Sequence, residues 1–575
     1  MARVPEQSQI PIYLSTSLAR ARGDGLDGRA LVIVPDNRDW NDFGANFRAD
    51  LHVVGVAAAD RALRMRLLVE RQARTRSYVI DRLGVTAAGN GRARRRIERI
   101  DVSFVSVLES EADYQDLVGW LGFGDAIGCL RRMRDAVLAR LEHEGEQDED
   151  TLRLSRTIAF YQSALRDGAT WTAFRQGDRY LASDRPPDVE DAAASFRVEA
   201  NLRGMIGEHV LDADFGEQFP LSRRVLVLVG QNGTGKTRLF EAMIDGLRTA
   251  PPWAGAAPPD RPAGFEPRPG LSRLIVFSSV ASDPYPRAIP PWDGIDYRYH
   301  QMIGAPGGEG GGLTMALVDC LRADTDAQGY GRAGAIELLD EVLEPLGVKD
   351  DLYAELTEAV EPDELPPPTR IGERNYFQLF RRMNEQRILQ LFARIRTDRP
   401  PIVVTGGRRA RNLSSGETAL LRFAAFAVGS LRRGSIMLFD EPETHLHPSY
   451  ISQFMEMLDR LLERSGSIAL IATHSAYVVR EVPSRRVRVI TRDAEDETIA
   501  IEQPTMQTFG ASIDIISQFV FGDIGPKHRF QRVLEEYVEE NPEATLGQLR
   551  RRFSRDLNPE ALSYIAELVE RRGRE

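Results

Sequence analysis

Residues 225–240 read VLVLVGQNGTGKTRLF. The apolar run 225–229 is short, rich in β-branched valine and uninterrupted, as expected of a strand buried on both faces of a parallel sheet. It leads straight into Gly230, four further residues, then Gly235, Lys236 and Thr237. The helix expected next places Leu239, Met243 and Leu247 on one face. Strand, glycine-rich turn and helix in that order make a phosphate loop. Glycines let the backbone turn tightly, so that successive N–H groups and the positive helix end converge on phosphate oxygens. The residues expected to hold the phosphates are Gly230, Asn232, Gly233, Thr234, Gly235, Lys236, Thr237 and Arg238. Lys236 is suited to reach the terminal phosphates, and the Thr237 hydroxyl to ligate Mg2+.

Three further pieces follow in order. The first is ARNLSSGETALLRFAAFAVGSLRRG, residues 410–434. Ser414 with Glu417 three residues on forms a capping box ahead of an apolar helix. Arg432 and Arg433 are expected in its last turn, and Gly434 just past it. Ser414, Ser415 and Gly416 then offer a hydroxyl and free N–H groups at a positive helix end, an anion grip. The second piece is SIMLFDEPETHLHP, residues 435–448, in which a buried strand ends at Asp440 and Glu441. Ligands bind beyond that end in open α/β sheets. Asp440 is suited to hold Mg2+, and Glu441, one position on, to act as general base on an attacking water. The third is IALIATHS, residues 468–475, a core strand with His474 at its tip, placed to hydrogen-bond a terminal phosphate. His445, His447 and His474 lie close in sequence, so a metal site is an alternative for them, but no cysteine joins them to complete four ligands.

Residues 1–190 read as a mixed, helix-rich extension. Residues 30–34 (ALVIV) suggest a strand, while 64–83 and 130–144 carry helical spacing. A polar link, 177–194, marks a boundary. Residues 191–525 read as an α/β nucleotide-binding head that opens on the β-type runs FRVEANL and HVLDADF. Loops are expected at 251–270 and 304–312, a helical insertion at about 335–400, and a helical tail at 526–575. About 175 residues, broken by prolines, separate the phosphate loop from the capped helix, too few for a long coiled-coil arm.

Net charge is −11 over 575 residues, so attraction to nucleic acid would have to come from local patches: Arg92, Arg94, Arg95, Arg96 and Arg99, then Arg408, Arg409 and Arg411, then Arg550, Arg551 and Arg552. Two distant cysteines, Cys129 and Cys320, give no disulfide framework and fit a reducing compartment. No run of about 18 uncharged apolar residues occurs and the N-terminus lacks a secretory pattern, so a cytoplasmic protein without a membrane segment is expected.

GQNGTGKT, NLSSGE, LFDEPETHLHP and ATHS, in that order, resemble the ATP-binding head of ABC-class ATPases, a P-loop NTPase fold. The nearest likeness is to SMC-like and OLD-like AAA-family proteins of bacteria, in which DEPE-x-HLHP is typical. The resemblance covers about residues 195–525. It implies an ATPase, converting ATP and water to ADP and phosphate, in which two heads sandwich two Mg·ATP. Lys236, Thr237, Asp440, Glu441 and His474 would act within one subunit, and Ser414 and Gly416 on the nucleotide held by the second copy. The family's glutamine-bearing loop is not evident after residues 274–279, where Ser278, Ser279 or Gln301 could stand in. No Toprim-type carboxylate cluster follows His474. What is left looks most like the ATPase subunit of a Septu-type (PtuA-like) anti-phage pair, which implies a separate nuclease effector gated by the ATP-bound dimer. An SMC- or RecF-like DNA repair or chromosome-maintenance ATPase is the alternative.

Overall fold

In the computed structural model, the strand Val225–Val229 is fully buried and pairs in parallel with Ile468–Thr473 on one side and Val487–Arg492 on the other. The structure describes the chain except for residues 1–7, 24, 27, 38–45, 87–89, 143–145, 158, 161–163, 166–167, 182–190, 193–194, 203–204, 206, 217–223, 232, 249–262, 281, 290–292, 303–311, 323–333, 358–367, 382–393, 407–408, 445, 493–498, 521–528, 554–555, 558 and 573–575. The seven-stranded sheet runs in the order Tyr297–Gln301, Leu274–Ser278, Ile436–Asp440, Ile468–Thr473, Val225–Val229, Val487–Arg492 and Ile499–Glu502. All but the last strand are parallel. The fold is α/β, with a nucleotide-binding-type head at its centre.

Strand alternation sends side chains into two cores. Val225, Val227 and Val229 face one core with the helices Ser415–Ser430 and Pro448–Ser465; Leu226 and Leu228 face another with the helix Lys236–Leu247. In the first core Phe277 stacks on Phe439 at 5.0 Å between ring centroids, and Phe423 and Phe454 meet Phe439 edge-on. A three-stranded antiparallel sheet, ordered Ala263–Glu266, Phe196–Ala200, His209–Ala213, covers the second core, as the runs FRVEANL and HVLDADF suggest. The expected loop at 251–270 is therefore in part a strand, because residues 263–266 pair with Phe196–Ala200; 251–262 lie outside the described residues, as do 303–311 of the second expected loop.

The region before residue 190 holds a six-stranded sheet ordered Arg95–Arg96, Ile12–Leu14, Ala30–Pro35, Arg48–Val54, Leu63–Val69, Phe104–Leu108. One helical expectation fails here in its first half, and the other is met with a break. Residues 64–83 begin as the strand Leu63–Val69 and only then become the helix Thr75–Leu83. The apolar run disguised the strand because Arg66 on it is buried, neutralised by Glu109 at 2.9 Å. Residues 130–142 form the end of one helix, Phe123–Arg132, and a second, Ala136–Glu142; 143 and 144 lie outside the described residues. Arg134 breaks them with φ 52°, and the Asp135 carboxylate accepts the N–H groups of Val137 and Leu138 to start the next turn.

Among its described residues the insertion after residue 335 is not helical alone, and 358–367 and 382–393 lie outside them. It opens with the helix Ala335–Leu343, but five antiparallel strands follow, ordered Thr369–Ile371, Arg374–Gln378, Leu352–Glu355, Ile402–Thr405, Arg409–Asn412. Gly372, at φ 61°, makes the tight turn between the first two, and alternate residues such as Phe377 and Val403 are buried. The tail is helical: Arg529–Glu540, Leu546–Phe553 and Pro559–Arg572 pack on their own small core around Leu534, Leu549 and Ile565.

The earlier region and the head share one continuous buried apolar cluster. Asp296, beside Arg273 at 2.8 Å, Arg298 at 3.7 Å, Arg179 at 3.8 Å and Arg432 at 3.9 Å, anchors a buried ionic seam between them. Arg432 continues it to Glu111 at 2.6 Å. This corrects the expected helix end: the helix stops at Ser430, and Arg432 lies beyond it, drawn into the seam instead of the last turn. No helix among the described residues is long and apolar enough to cross a membrane.

Candidate nucleotide site

Three parallel strands deliver their carboxyl ends to one place. Val225–Val229 leads into the glycine loop, Ile436–Asp440 ends at the carboxylates, and Ile468–Thr473, between them, ends at His474. The loop needs its glycines. Gly235 adopts φ 95°, and a Cβ on Gly230 would fall 2.5 Å from the Ile490 carbonyl oxygen. Thr234 closes the turn by donating to the Gln231 carbonyl at 2.9 Å. Lys236 is buried and donates its ammonium to the carbonyls of Gly230 at 2.8 Å and Gln231 at 3.1 Å. Burial pushes its pKa down, against the opposing pull of Glu441 and Asp440. Asn232 lies outside the described residues.

Asp440 is wholly buried. Its Oδ2 accepts the Thr237 hydroxyl at 2.9 Å and the Tyr285 hydroxyl at 2.8 Å, while its Oδ1 has no hydrogen-bond partner. A buried carboxylate oxygen left without a donor, beside a threonine hydroxyl, is a donor set that fits a hard, oxygen-preferring cation such as Mg2+. Burial pushes the Asp440 carboxyl up; the two hydroxyls and Lys236 oppose that.

Glu441 holds a left-handed backbone, φ 52°, with its amide tied to the Ala472 carbonyl at 2.9 Å. Such strain in a non-glycine residue is held only where the surroundings impose it. It turns the carboxylate toward Lys236, at 3.9 Å, and into a short contact with His474 Nδ1. Burial, then the charge of Glu443, pushes Glu441 up to about 7; His474 and Lys236 pull the other way. Glu443 is itself buried and accepts from the Thr473 hydroxyl and from the His474 amide at 3.1 Å, fixing the tip of the histidine strand.

The cleft above these groups has a volume of about 520 Å3 and is lined by Gly233, Gly235, Lys236, Thr237, Arg238, Glu441 and His474, together with Met205, Val280, Thr444 and Arg492. Lys236, Arg238 and Arg492 give it a cationic lining, which suits a polyanion. Ser414, Ser415 and Gly416 do not line it. The capping box is present, with Glu417 accepting the Ser414 N–H at 2.8 Å, and Ser414 and Ser415 are exposed. Gly416, by contrast, is buried against the ring of Tyr450. The signature thus stands apart from its own protomer's cleft.

None of Ser278, Ser279 and Gln301 lines the cleft. Ser278 bonds its own turn at Val280, the Ser279 amide holds the Asp440 carbonyl at 3.1 Å, and Gln301 gives its carbonyl to Arg422. Tyr285, from the same segment, is what reaches Asp440, and a tyrosine there carries no motif signal. Met205 and Arg492 come from other elements and were likewise invisible. Glu443 does carry a sequence signal, as a third carboxylate inside DEPET two positions after Glu441. Among the described residues the histidines form no joint metal site: His447 caps the helix Pro448–Ser465, accepting the Ser449 amide at 3.3 Å, and His445 lies outside the described residues. Among the described residues, the cluster able to hold a metal through histidine and carboxylates is Glu441, Glu443 and His474.

Residues 376–480 match the family model "AAA domain, putative AbiEii toxin, Type IV TA system". The match supports a P-loop ATPase. It takes in the capped helix, the two carboxylates and His474, but not the glycine loop. The chain is 26% identical over 320 residues to protein ea59 of Escherichia phage lambda, covering 52% of this chain and 54% of that protein. It is 30% identical over 132 residues to the octopine permease ATP-binding protein P of Rhizobium radiobacter, covering 23% of this chain and 44% of that one. The chain thus spans about half the length of the curated relatives it matches. The SMC head domain from Thermotoga maritima aligns over 54% of this chain and 99% of that one, at 12% identity and a TM-score of 0.26. At that score the assignment of fold rests on the strand order above.

Proposed function

We propose that this chain binds Mg·ATP in the cleft and hydrolyses it as an ATP-sandwiched dimer of heads. The observation that carries the reading is the meeting of Lys236, Thr237, Asp440, Glu441 and His474 at adjacent strand ends around one cationic cleft. The loop amides and Lys236 bind the phosphates, and Thr237 with Asp440 would hold Mg2+, which screens the charge of the phosphate oxygens. Glu441 takes the proton of the water whose oxygen attacks the terminal phosphorus, as the bond to the bridging oxygen breaks and ADP leaves. Its pKa near 7 makes it a stronger base than a free carboxylate while leaving a useful ionised fraction at neutral pH. His474, bonded to Glu441, orients that water. The exposed Ser414 and Ser415 grip the nucleotide of the second copy, which fits their distance from their own cleft. The likeness to the octopine permease ATP-binding protein P supports ATP as the nucleotide.

The test is Glu441→Gln. It is expected to abolish turnover yet trap the ATP-bound dimer, seen by light scattering as a doubling of mass when Mg·ATP is added. A variant that stays monomeric at saturating nucleotide refutes the sandwich.

We further read the head as a switch for a separate effector, a nuclease in bacterial anti-phage defence. A phage protein among the relatives and the word "toxin" in the matched family's description accord with that reading. It predicts a partner that co-purifies with the wild-type protein and is lost in Ser414→Arg. An isolated protein with steady ATP turnover and no partner sinks it.

A further inference from the structure

We infer that Tyr285 is a positioning residue for the magnesium carboxylate; this rests on the proposed Mg·ATP site. Tyr285 follows the strand Leu274–Ser278 on the segment that also supplies Val280 to the cleft. Its side chain is almost wholly buried, and its hydroxyl donates to Asp440 Oδ2 at 2.8 Å. Thr237 donates to the same oxygen at 2.9 Å. Two donors on Oδ2 fix the carboxylate's plane and leave Oδ1, which has no partner, as the oxygen free to accept a cation. Without the phenol, Oδ2 keeps one donor and the carboxylate can rotate, spreading its negative charge between two orientations.

The segment is built to hold that phenol in place. Asp283 accepts the Tyr285 amide at 3.2 Å and the Tyr299 hydroxyl at 2.7 Å, and Arg287 pairs with Asp283 at 3.3 Å. The Tyr299 hydroxyl therefore organises the same turn without touching Asp440, which makes it the matched control. Partners that orient a metal ligand commonly change metal affinity by about 10- to 100-fold when removed.

The experiment titrates a fluorescent, non-hydrolysable ATP analogue onto the full chain, in EDTA and in Mg2+. In EDTA the wild type and Tyr285→Phe should bind equally. The gain in affinity on adding Mg2+ should shrink about tenfold in Tyr285→Phe and stay at the wild-type level in Tyr299→Phe. An unchanged Mg2+ gain in Tyr285→Phe overturns the inference and leaves the proposed site standing. Equal losses in both variants, or loss in EDTA as well, also overturn it, since packing of the segment would then be the cause. A wild type that binds no nucleotide overturns this inference together with the proposed function.

Discussion

Gly416→Ala tests whether the start of the signature helix is held by contact with its neighbour. Position 416 is the second residue of the helix Ser415–Ser430. On helix propensity alone, alanine there would be the better residue by up to about 1 kcal/mol. Yet a Cβ on this backbone falls 2.4 Å from two carbons of the Tyr450 ring, where carbon atoms normally rest about 3.5–4.0 Å apart. The ring is partly buried against the core, so swinging it off also costs packing. Tyr450 sits in the first turn after Pro448, its amide bonded to the His447 carbonyl at 2.8 Å and its hydroxyl 3.4 Å from Ser414 Oγ. Ring or helix start must therefore shift by more than an ångström, and overpacking of that kind costs about 1–3 kcal/mol. The expected net loss is about 1–2 kcal/mol. Hydrogen exchange read by mass spectrometry on peptides spanning 413–430 reports it as local opening free energy. In a Tyr450→Ala background the clash is gone, so the same change should become neutral or stabilising, with a coupling of about 2 kcal/mol between the two sites. Slower exchange on Gly416→Ala in both backgrounds, with the two effects additive, refutes the argument.

Two further outcomes follow from charges. Arg411 holds Glu417 in a bidentate pair at 2.8 Å, and the Ser414 amide adds a third bond, so the Glu417 pKa falls from 4.5 to about 2. A depressed folded pKa stabilises fully above the unfolded value and fades as pH drops from 4.5 toward 2. The difference in thermal midpoint between the wild type and Glu417→Gln should accordingly narrow between about pH 5 and pH 3; a difference that ignores pH counters the assignment. Asp296→Asn removes the one carboxylate shared by Arg179, Arg273, Arg298 and Arg432 in the buried seam. Burial alone would raise that carboxyl, but Arg273, Arg298 and Arg432 hold it far below its ordinary range. The loss should be about 3–5 kcal/mol, because buried Arg273 loses its carboxylate, while Arg298 and Arg432 keep Asp178 and Glu111. A melting point within about 2 °C of the wild type would show that water or another acid takes over.

The head was legible where one local signal had one structural cause. The buried run 225–229, the glycine loop and the capping box of Ser414 with Glu417 each depend on neighbours within a few residues, and each is found as expected. Elements failed where long-range partners override the local pattern. Arg66 reads as a helix-surface charge until Glu109, 43 positions on, buries it in a strand. Arg432 reads as a helix-terminal cation until Asp296 and Glu111 claim it. The described strands of the insertion went unread because they are short and pair with one another, so their stability comes from cross-strand context.

The same distinction separates the parts of the site. Lys236, Thr237, Asp440, Glu441 and His474 stand at strand ends, and a parallel sheet must bring neighbouring strand ends together, so motif and strand were enough to place them. Tyr285 and Met205 arrive on segments whose path is set by tertiary packing, and no spacing rule in the sequence could have joined Tyr285 to Asp440, 155 positions away. The signature lies between these cases. Its own geometry was readable from Ser414 and Glu417, but what it serves depends on where it points, away from the cleft of its own chain. Exposed hydroxyls at a positive helix end that do not line their own protomer's cleft fit the proposed site completed by a second head. Phosphate contacts drawn from two protomers would then tie closure of the dimer to the presence of the terminal phosphate, and hydrolysis would release it.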